Sequence, residues 1–246
     1  MSLKHNIDIV VISCDSYSDV WPYFFKYFFY YWNECPLDLY LISNKKTFDS
    51  KKINNISIGP DFSWSDNLSN GLKIIDKDYI LLMIDDLILD KRVSNSYFNK
   101  LSSWINIKNP DYLRLHNSNK PIKHDNLVGK IPLRSPYKTS TMPCIWKKSA
   151  LLKVLKEGES AWEFEINGSK RAYSLDGFYS VYDNLIEYNN SIIKGKWQRS
   201  FAFKINLKEY SRPIMNNFEQ LVYDIRKIRS KIFNLFPNFL RLILKG

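Results

Sequence analysis

The sequence predicts an α/β fold: a mixed, mainly parallel sheet flanked by helices, Rossmann-like in its opening. Three observations carry that prediction. The first forty-odd residues alternate between a β-branched run, IDIVVIS at 7–13, an aromatic stretch of helical length, and a second apolar run, LDLYLIS at 37–43. A fully apolar segment, YILLMI at 79–84, stops abruptly at Asp85-Asp86, as a buried central strand does where it meets a polar crevice. The composition supports a real core, with 246 residues, 45% hydrophobic and 25% charged, and only 8 Gly and 10 Pro to mark linkers.

The elements follow in order. After the first strand comes the polar Cys14-Asp15-Ser16, and Asp19 is the expected N-cap of a helix over 21–32 with Pro22 in its first turn, where the missing N–H costs nothing. A weaker strand over 52–58 precedes Trp64-Ser65-Asp66-Asn67, whose side chains are expected to cap a helix through Leu68, Leu72 and Ile75. Beyond the acidic pair, Leu87-Ile88-Leu89 resumes the apolar pattern. A helix over 93–106, a strand over 112–115, a polar stretch to about 140, a helix over 149–155 and a strand pair within 178–200 complete the domain.

Several chemistries are excluded at once. No two glycines stand two apart, which removes the dinucleotide-binding fingerprint, and the chain lacks the P-loop, H-E-x-x-H and G-x-S-x-G patterns. Cys14, Cys35 and Cys144 are odd in number and widely spaced, as in a reducing compartment. Asp8 and Asp15 interrupt the first twenty residues, and no run reaches the roughly 18 apolar residues of a spanning helix, so a cytoplasmic location is expected. The net charge of +11, from 36 basic and 25 acidic residues, calls for anionic partners. The dispersal of Lys and Arg and the absence of a recognition motif argue against nucleic acid.

Two constellations carry chemistry. Carboxylates at a strand end are hard oxygen ligands for Mg²⁺ or Mn²⁺, leaving coordination positions for substrate phosphates, although an Asp-Asp pair also simply ends strands and caps turns. In Trp162-Glu163-Phe164-Glu165, an extended backbone would put both glutamates on one face, where Glu165, or Glu163 in its place, would take the proton from an acceptor hydroxyl. His116 and His124 lack a third partner for a metal site, and Lys194, Lys196 and Arg199 around Trp197 either reach a diphosphate or form a solvated edge.

The order VVISCDSYSDVW, WSDNL, YILLMIDDLIL and PCIWKKSALLKVLKEGESAWEFE resembles small bacterial glycosyltransferases of the GT-A type that build lipopolysaccharide O-antigen or capsule, over residues 7 to about 200. The resemblance implies a nucleotide-sugar donor, a UDP-sugar foremost, and a glycan or lipid-linked glycan acceptor. It makes Asp86 the metal-binding final acid of the motif, sets Asp85 beside it near the ribose or donor sugar, and puts Asp15 and Asp66 near the nucleotide. It also suggests inversion with an acidic base near sugar-stacking aromatics. The departure is that Ile84-Asp85-Asp86 is not a literal Asp-x-Asp. A nucleotidyltransferase would share the acidic pair but carries a Gly-rich loop that CDSYSD does not supply, and an inactive membrane-associated scaffold would keep the fold alone.

Residues 1–212 are read as the catalytic domain and 213–246 as a basic amphipathic tail. Apolar residues recur at Phe218, Leu221, Val222, Ile225, Ile228, Ile232, Leu235 and Phe236, with Arg226, Lys227, Arg229 and Lys231 among them, and a second apolar block follows Pro237. The pattern predicts peripheral attachment to the inner, anionic face of the cytoplasmic membrane, or docking onto the domain or a second subunit.

Overall fold

The computed structural model describes residues 6–117, 121–207 and 211–235; for 230, 231 and 233–235 it describes the backbone only. The chain opens with β1 (Ile7–Ile12), α1 (Trp21–Tyr31), β2 (Leu39–Ser43), β3 (Asn54–Ser57), α2 (Trp64–Leu72) and β4 (Tyr79–Ile84). The four strands lie in the order β3-β2-β1-β4, all parallel, with Ile12 of β1 paired to Ile84 of β4. All four carboxyl ends therefore emerge at one edge, where open α/β sheets bind ligands.

The sheet then becomes mixed. β5 (Leu87–Leu89), α3 (Asn95–Lys108), β6 (Tyr112–Arg114), β7 (Ile122–Lys123), β8 (Val128–Lys130) and β9 (Cys144–Lys147) follow, with β9 inserted antiparallel between β4 and β6. The predicted list has no strand at β9; its CIWK sequence is too short for periodicity to show. After α4 (Lys148–Val154) come α5 (Ala161–Glu163), one wide π-helical turn over 164–168, α6 (Ser169–Arg171) and β10 (Phe178–Val181), which pairs parallel to β6. β11 (Tyr188–Asn190) pairs antiparallel to β5. The expected late strand pair is a separate hairpin of β12 (Ile192–Ile193) and β13 (Lys196–Trp197), outside the nine-stranded sheet. α7 (Arg199–Lys204) and α8 (Asn217–Leu235) close the described chain.

The alternation of β1 builds both layers. Ile7, Ile9 and Val11 join Phe24, Phe28, Phe98 and Trp104 of α1 and α3 on one face, while Val10 and Ile12 join Leu68, Leu72, Leu151 and Phe164 on the other. Gly71 of α2 lies flat on the second face, where a Cβ would run into the Ile42 side chain.

Two capping expectations are corrected. Val20, not Asp19, precedes α1 without a side-chain cap, because Asp19 pairs instead with Arg212. Ser63 caps α2 by accepting from the Asp66 N–H, so Trp64 to Asn67 form the first turn rather than the cap.

Candidate functional site

The carboxyl ends of β1 and β4 and the start of α2 enclose a cleft of about 290 Å³, whose lining includes Ser13, Cys14, Tyr17, Asp61, Asp85 and Asp86. Asp85 sits at its floor, 5% exposed. Its Oδ2 accepts from the Ser13 hydroxyl and from Trp21 Nε1 at 3.2 Å, and Trp21 Nε1 also lies 2.7 Å from Ser13 Oγ. The aromatic α1 thus contributes one polar atom to the site, aimed at the carboxylate. Burial first, then the neighbouring Asp86 charge, push the Asp85 carboxyl up to about 8, against the Ser13 and Trp21 donors and the Arg212 charge.

Asp86 has the complementary character. Its main-chain carbonyl accepts from Ser191 N–H at 2.7 Å and Ser191 Oγ at 2.8 Å, which fixes the turn against the strand end of β11. Its side-chain Oδ1 is buried with no hydrogen-bond partner among the described residues. Burial raises this carboxyl to about 6. Asp86 lines the cleft, and its unpartnered carboxylate oxygen is a candidate ligand for a divalent cation, although no cluster of three or more His, Cys, Asp or Glu able to hold a metal occurs among the described residues. A cation there would complete its shell with ligand oxygens and water.

The other expected site residues are placed differently. Asp15 stands beyond the end of β1, its carboxylate accepting from Lys45 N–H at 3.0 Å and Lys46 N–H at 2.9 Å, so it stitches the β1 loop to the β2 loop. Partial burial opposes ionisation, yet the N–H groups of Lys46, Lys45 and Asn44 hold its carboxyl below the ordinary value. Asp66 Oδ2 accepts from Ser63 Oγ at 2.6 Å and Gly158 N–H at 3.1 Å, bracing the loop that brings Ala161 to the cleft wall. Lys196 is not among the residues lining this cleft; it is ion-paired with Glu219 of α8 at 2.5 Å and lines a second cleft.

The extended backbone expected for residues 162–165 is overturned, since 161–171 is helical throughout. Glu163 closes a capping box with Ser160, whose N–H donates to Glu163 Oε2 at 2.9 Å, and it faces solvent. Glu165 turns inward from the π-helical turn. Its Oε1 accepts from Thr141 N–H at 2.7 Å, Thr141 Oγ1 at 2.9 Å and Ser140 Oγ at 3.1 Å. The wide turn leaves carbonyls to satisfy, and Ser169 Oγ reaches that of Glu165 at 2.6 Å while Thr139 Oγ1 reaches that of Phe164 at 3.3 Å. Burial raises the Tyr188 phenol above its ordinary value, Arg114 opposes this, and the charges of Glu165 and Asp86 both add to the rise. Tyr188 therefore stands within electrostatic reach of both acids.

Sequence reasoning passed over Arg212. Its guanidinium grips Asp19 at 2.7 and 2.6 Å, donates to the Ser16 carbonyl at 2.9 Å and covers the Tyr17 ring at 4.4 Å. A residue 193 positions away holds the rim of the cleft and adds a positive charge near Asp85 and Asp86. No local signal joins those two positions.

No family model and no curated protein matches the chain. Among solved structures, S. aureus TarS aligns with 71% of this chain and 36% of its own at 11% identity and a TM-score of 0.47. TarS 1-349 in complex with UDP aligns with 71% of this chain and 59% of its own, also at 11% identity and a TM-score of 0.47. The bifunctional IspDF from Campylobacter jejuni aligns with 84% and 55% at 15% identity and a TM-score of 0.42. The galactosyltransferase LgtC, in complex with donor and acceptor sugar analogs, aligns with 58% of each chain at 11% identity and a TM-score of 0.38. The chain spans between about a third and three fifths of these proteins' lengths. Likeness of this degree assigns no activity.

Proposed function

We propose that the chain is a glycosyltransferase that moves a sugar from a nucleotide-sugar donor, a UDP-sugar foremost, to a hydroxyl of a growing bacterial surface glycan. The observation that carries this reading is the acidic pair at the carboxyl edge of the parallel strands, both residues lining one cleft, with Asp86 Oδ1 buried beside it and without a hydrogen-bond partner among the described residues. In this reading Asp86 holds Mg²⁺ or Mn²⁺, which supplies charge neutralisation to a leaving diphosphate. Asp85, locked by Ser13 and Trp21, keeps its neighbour in place. Cys14, Tyr17 and Asn67 line the space for the nucleotide.

Transfer forms a bond from the acceptor oxygen to the anomeric carbon as the bond to the diphosphate breaks, and the acceptor proton must go to a base. Glu165 is assigned that role: Thr141 and Ser140 fix one carboxylate oxygen, which orients the other, and inversion follows if it acts from the face opposite the diphosphate. Trp162, 62% exposed one residue beyond the cleft-lining Ala161, offers an aromatic face for a sugar. The test is release of UDP from a panel of UDP-sugars with a glycan acceptor, with and without Mn²⁺. Acceptor-dependent release supports transfer; preference for a nucleoside triphosphate with pyrophosphate release would replace the reading by nucleotidyl transfer.

A further inference from the structure

Among the described residues nothing covers the row of apolar residues on α8. Phe218, Leu221, Ile225, Ile228 and Ile232 are 73%, 57%, 56%, 58% and 52% exposed, a continuous stripe at three-and-four spacing. The helix is nonetheless firmly rooted. Met215 N–H donates to the Trp197 carbonyl at 2.9 Å, Asn216 and Glu219 cap each other reciprocally at 2.9 Å, and Glu219 binds Lys196 of the β12–β13 hairpin. Only Glu219, Gln220, Val222 and Tyr223 of its first turns are partly covered, so the domain meets one arc of the helix and leaves the apolar arc beside it open.

Charge selects the occupant. Arg226, Lys227 and Arg229 are all exposed on the same helix, Glu219 is already neutralised by Lys196, and Asp224 is the one further acid between 217 and 235. At the root of the helix, a cleft of about 410 Å³ mixes the same chemistries, with Ile193, Met215 and Phe218 beside Lys194 and Arg226. The hairpin turn presents Lys194 there through left-handed backbone at Lys194 (φ 49°) and Gly195 (φ 74°). Residues 236–246, outside the described residues, continue the composition with Arg241 and Lys245 among Phe239, Leu240, Leu242, Ile243 and Leu244. Among the described residues no helix is long and apolar enough to cross a membrane.

We propose that α8 lies in the surface of an anionic lipid bilayer, its Phe218–Ile232 stripe among acyl chains and Lys194, Arg226, Lys227 and Arg229 at the phosphate headgroups. Apolar insertion and charge attraction add, and each cation near an anionic surface strengthens binding by about fivefold. This surface shares no lining residue with the acidic cleft, so this inference does not rest on the donor reading.

Flotation of the full chain with vesicles of phosphatidylcholine, with and without phosphatidylglycerol, tests it. The chain floats with the anionic vesicles at low salt, and added salt releases it. Ile225→Asp with Ile228→Asp lowers the bound fraction by at least about tenfold, and Arg226→Glu with Lys227→Glu and Arg229→Glu does the same. These positions are exposed, so an unchanged melting temperature and an unchanged far-ultraviolet circular dichroism spectrum in each variant show that the fold is intact. Failure to float at low salt, or equal binding to neutral and anionic vesicles, overturns the proposal. So does a dimer in light scattering that the double Asp variant dissociates while vesicle binding is absent, since the stripe then seats a second copy.

Discussion

Replacing Asp85 by Asn removes the most perturbed charge in the cleft while keeping an acceptor for Ser13 and Trp21. The carboxyl is raised from 3.8 to about 8 by burial and by the charge of Asp86. A raised carboxyl binds its proton more tightly in the folded chain than in the unfolded one, so its contribution to stability is complete below about pH 4 and is lost as pH climbs through about 8. At about 1.4 kcal/mol per unit, the shift sets a ceiling of about 6 kcal/mol. Two effects reduce it: part of the shift comes from the Asp86 charge, so the two carboxyls titrate as a coupled pair, and the new amide must find an acceptor beside Ser13 Oγ. The expected gain for Asp85→Asn at about pH 8 is about 2 kcal/mol, or about 5 °C in melting temperature for a chain of this size, shrinking to nothing near about pH 4. Thermal melts of both proteins without metal or nucleotide, from about pH 4 to about pH 9, measure the difference directly. Lys138, whose burial lowers it to about 8, adds slope only above that pH and equally in both proteins. Parallel melting curves across the range would refute the argument, because a carboxylate at its ordinary value gives no such divergence.

Further outcomes follow from the same geometry. Glu165→Gln keeps nucleotide binding and lowers sugar transfer by about 100-fold or more, read by steady-state kinetics, whereas Glu163→Ala loses the capping box and costs about 1 kcal/mol in denaturant melts with turnover retained. Arg212→Ala unpairs Asp19 and frees the Ser16–Tyr17 rim, costing about 2 kcal/mol of stability and weakening nucleotide affinity in calorimetry. Gly71→Ala forces the new methyl into Ile42 and separates α2 from β2, lowering stability by about 1–3 kcal/mol in urea melts.

The three inner strands of the parallel half were legible because they are buried on both faces and read as largely apolar runs: IVVI, LYLI and YILLMI announce themselves, and the abrupt change at Asp85 marks the crevice, whereas the edge strand β3, NNIS, is mostly exposed. β9 was not, since four residues carry no period and its place between β4 and β6 depends on partners distant in the chain, Cys144 pairing with Arg114 and with Leu82. Trp162 to Glu165 misled for a physical reason. Alternating aromatic and acidic residues fit a strand, but Ser160 and Glu163 also satisfy a capping box, and the helix took precedence once Ser140, Thr141 and Ser169 could absorb the polar atoms of a widened turn. The acidic pair could be found from local sequence. The grip of Arg212 on Asp19 and the aim of Trp21 Nε1 at Asp85 could not, because each joins residues more than sixty positions apart.

Isothermal titration of UDP into the protein with Mn²⁺, with EDTA in place of metal, and in both conditions with Asp86→Asn, tests the central claim most directly. The account predicts that Mn²⁺ tightens UDP binding to the wild-type chain and that Asp86→Asn loses at least about tenfold of that metal-dependent affinity while melting no lower than the wild-type chain. Equal affinity of the two proteins in the presence of Mn²⁺ would contradict it, and the orphaned oxygen of Asp86 would then have no part in holding a nucleotide.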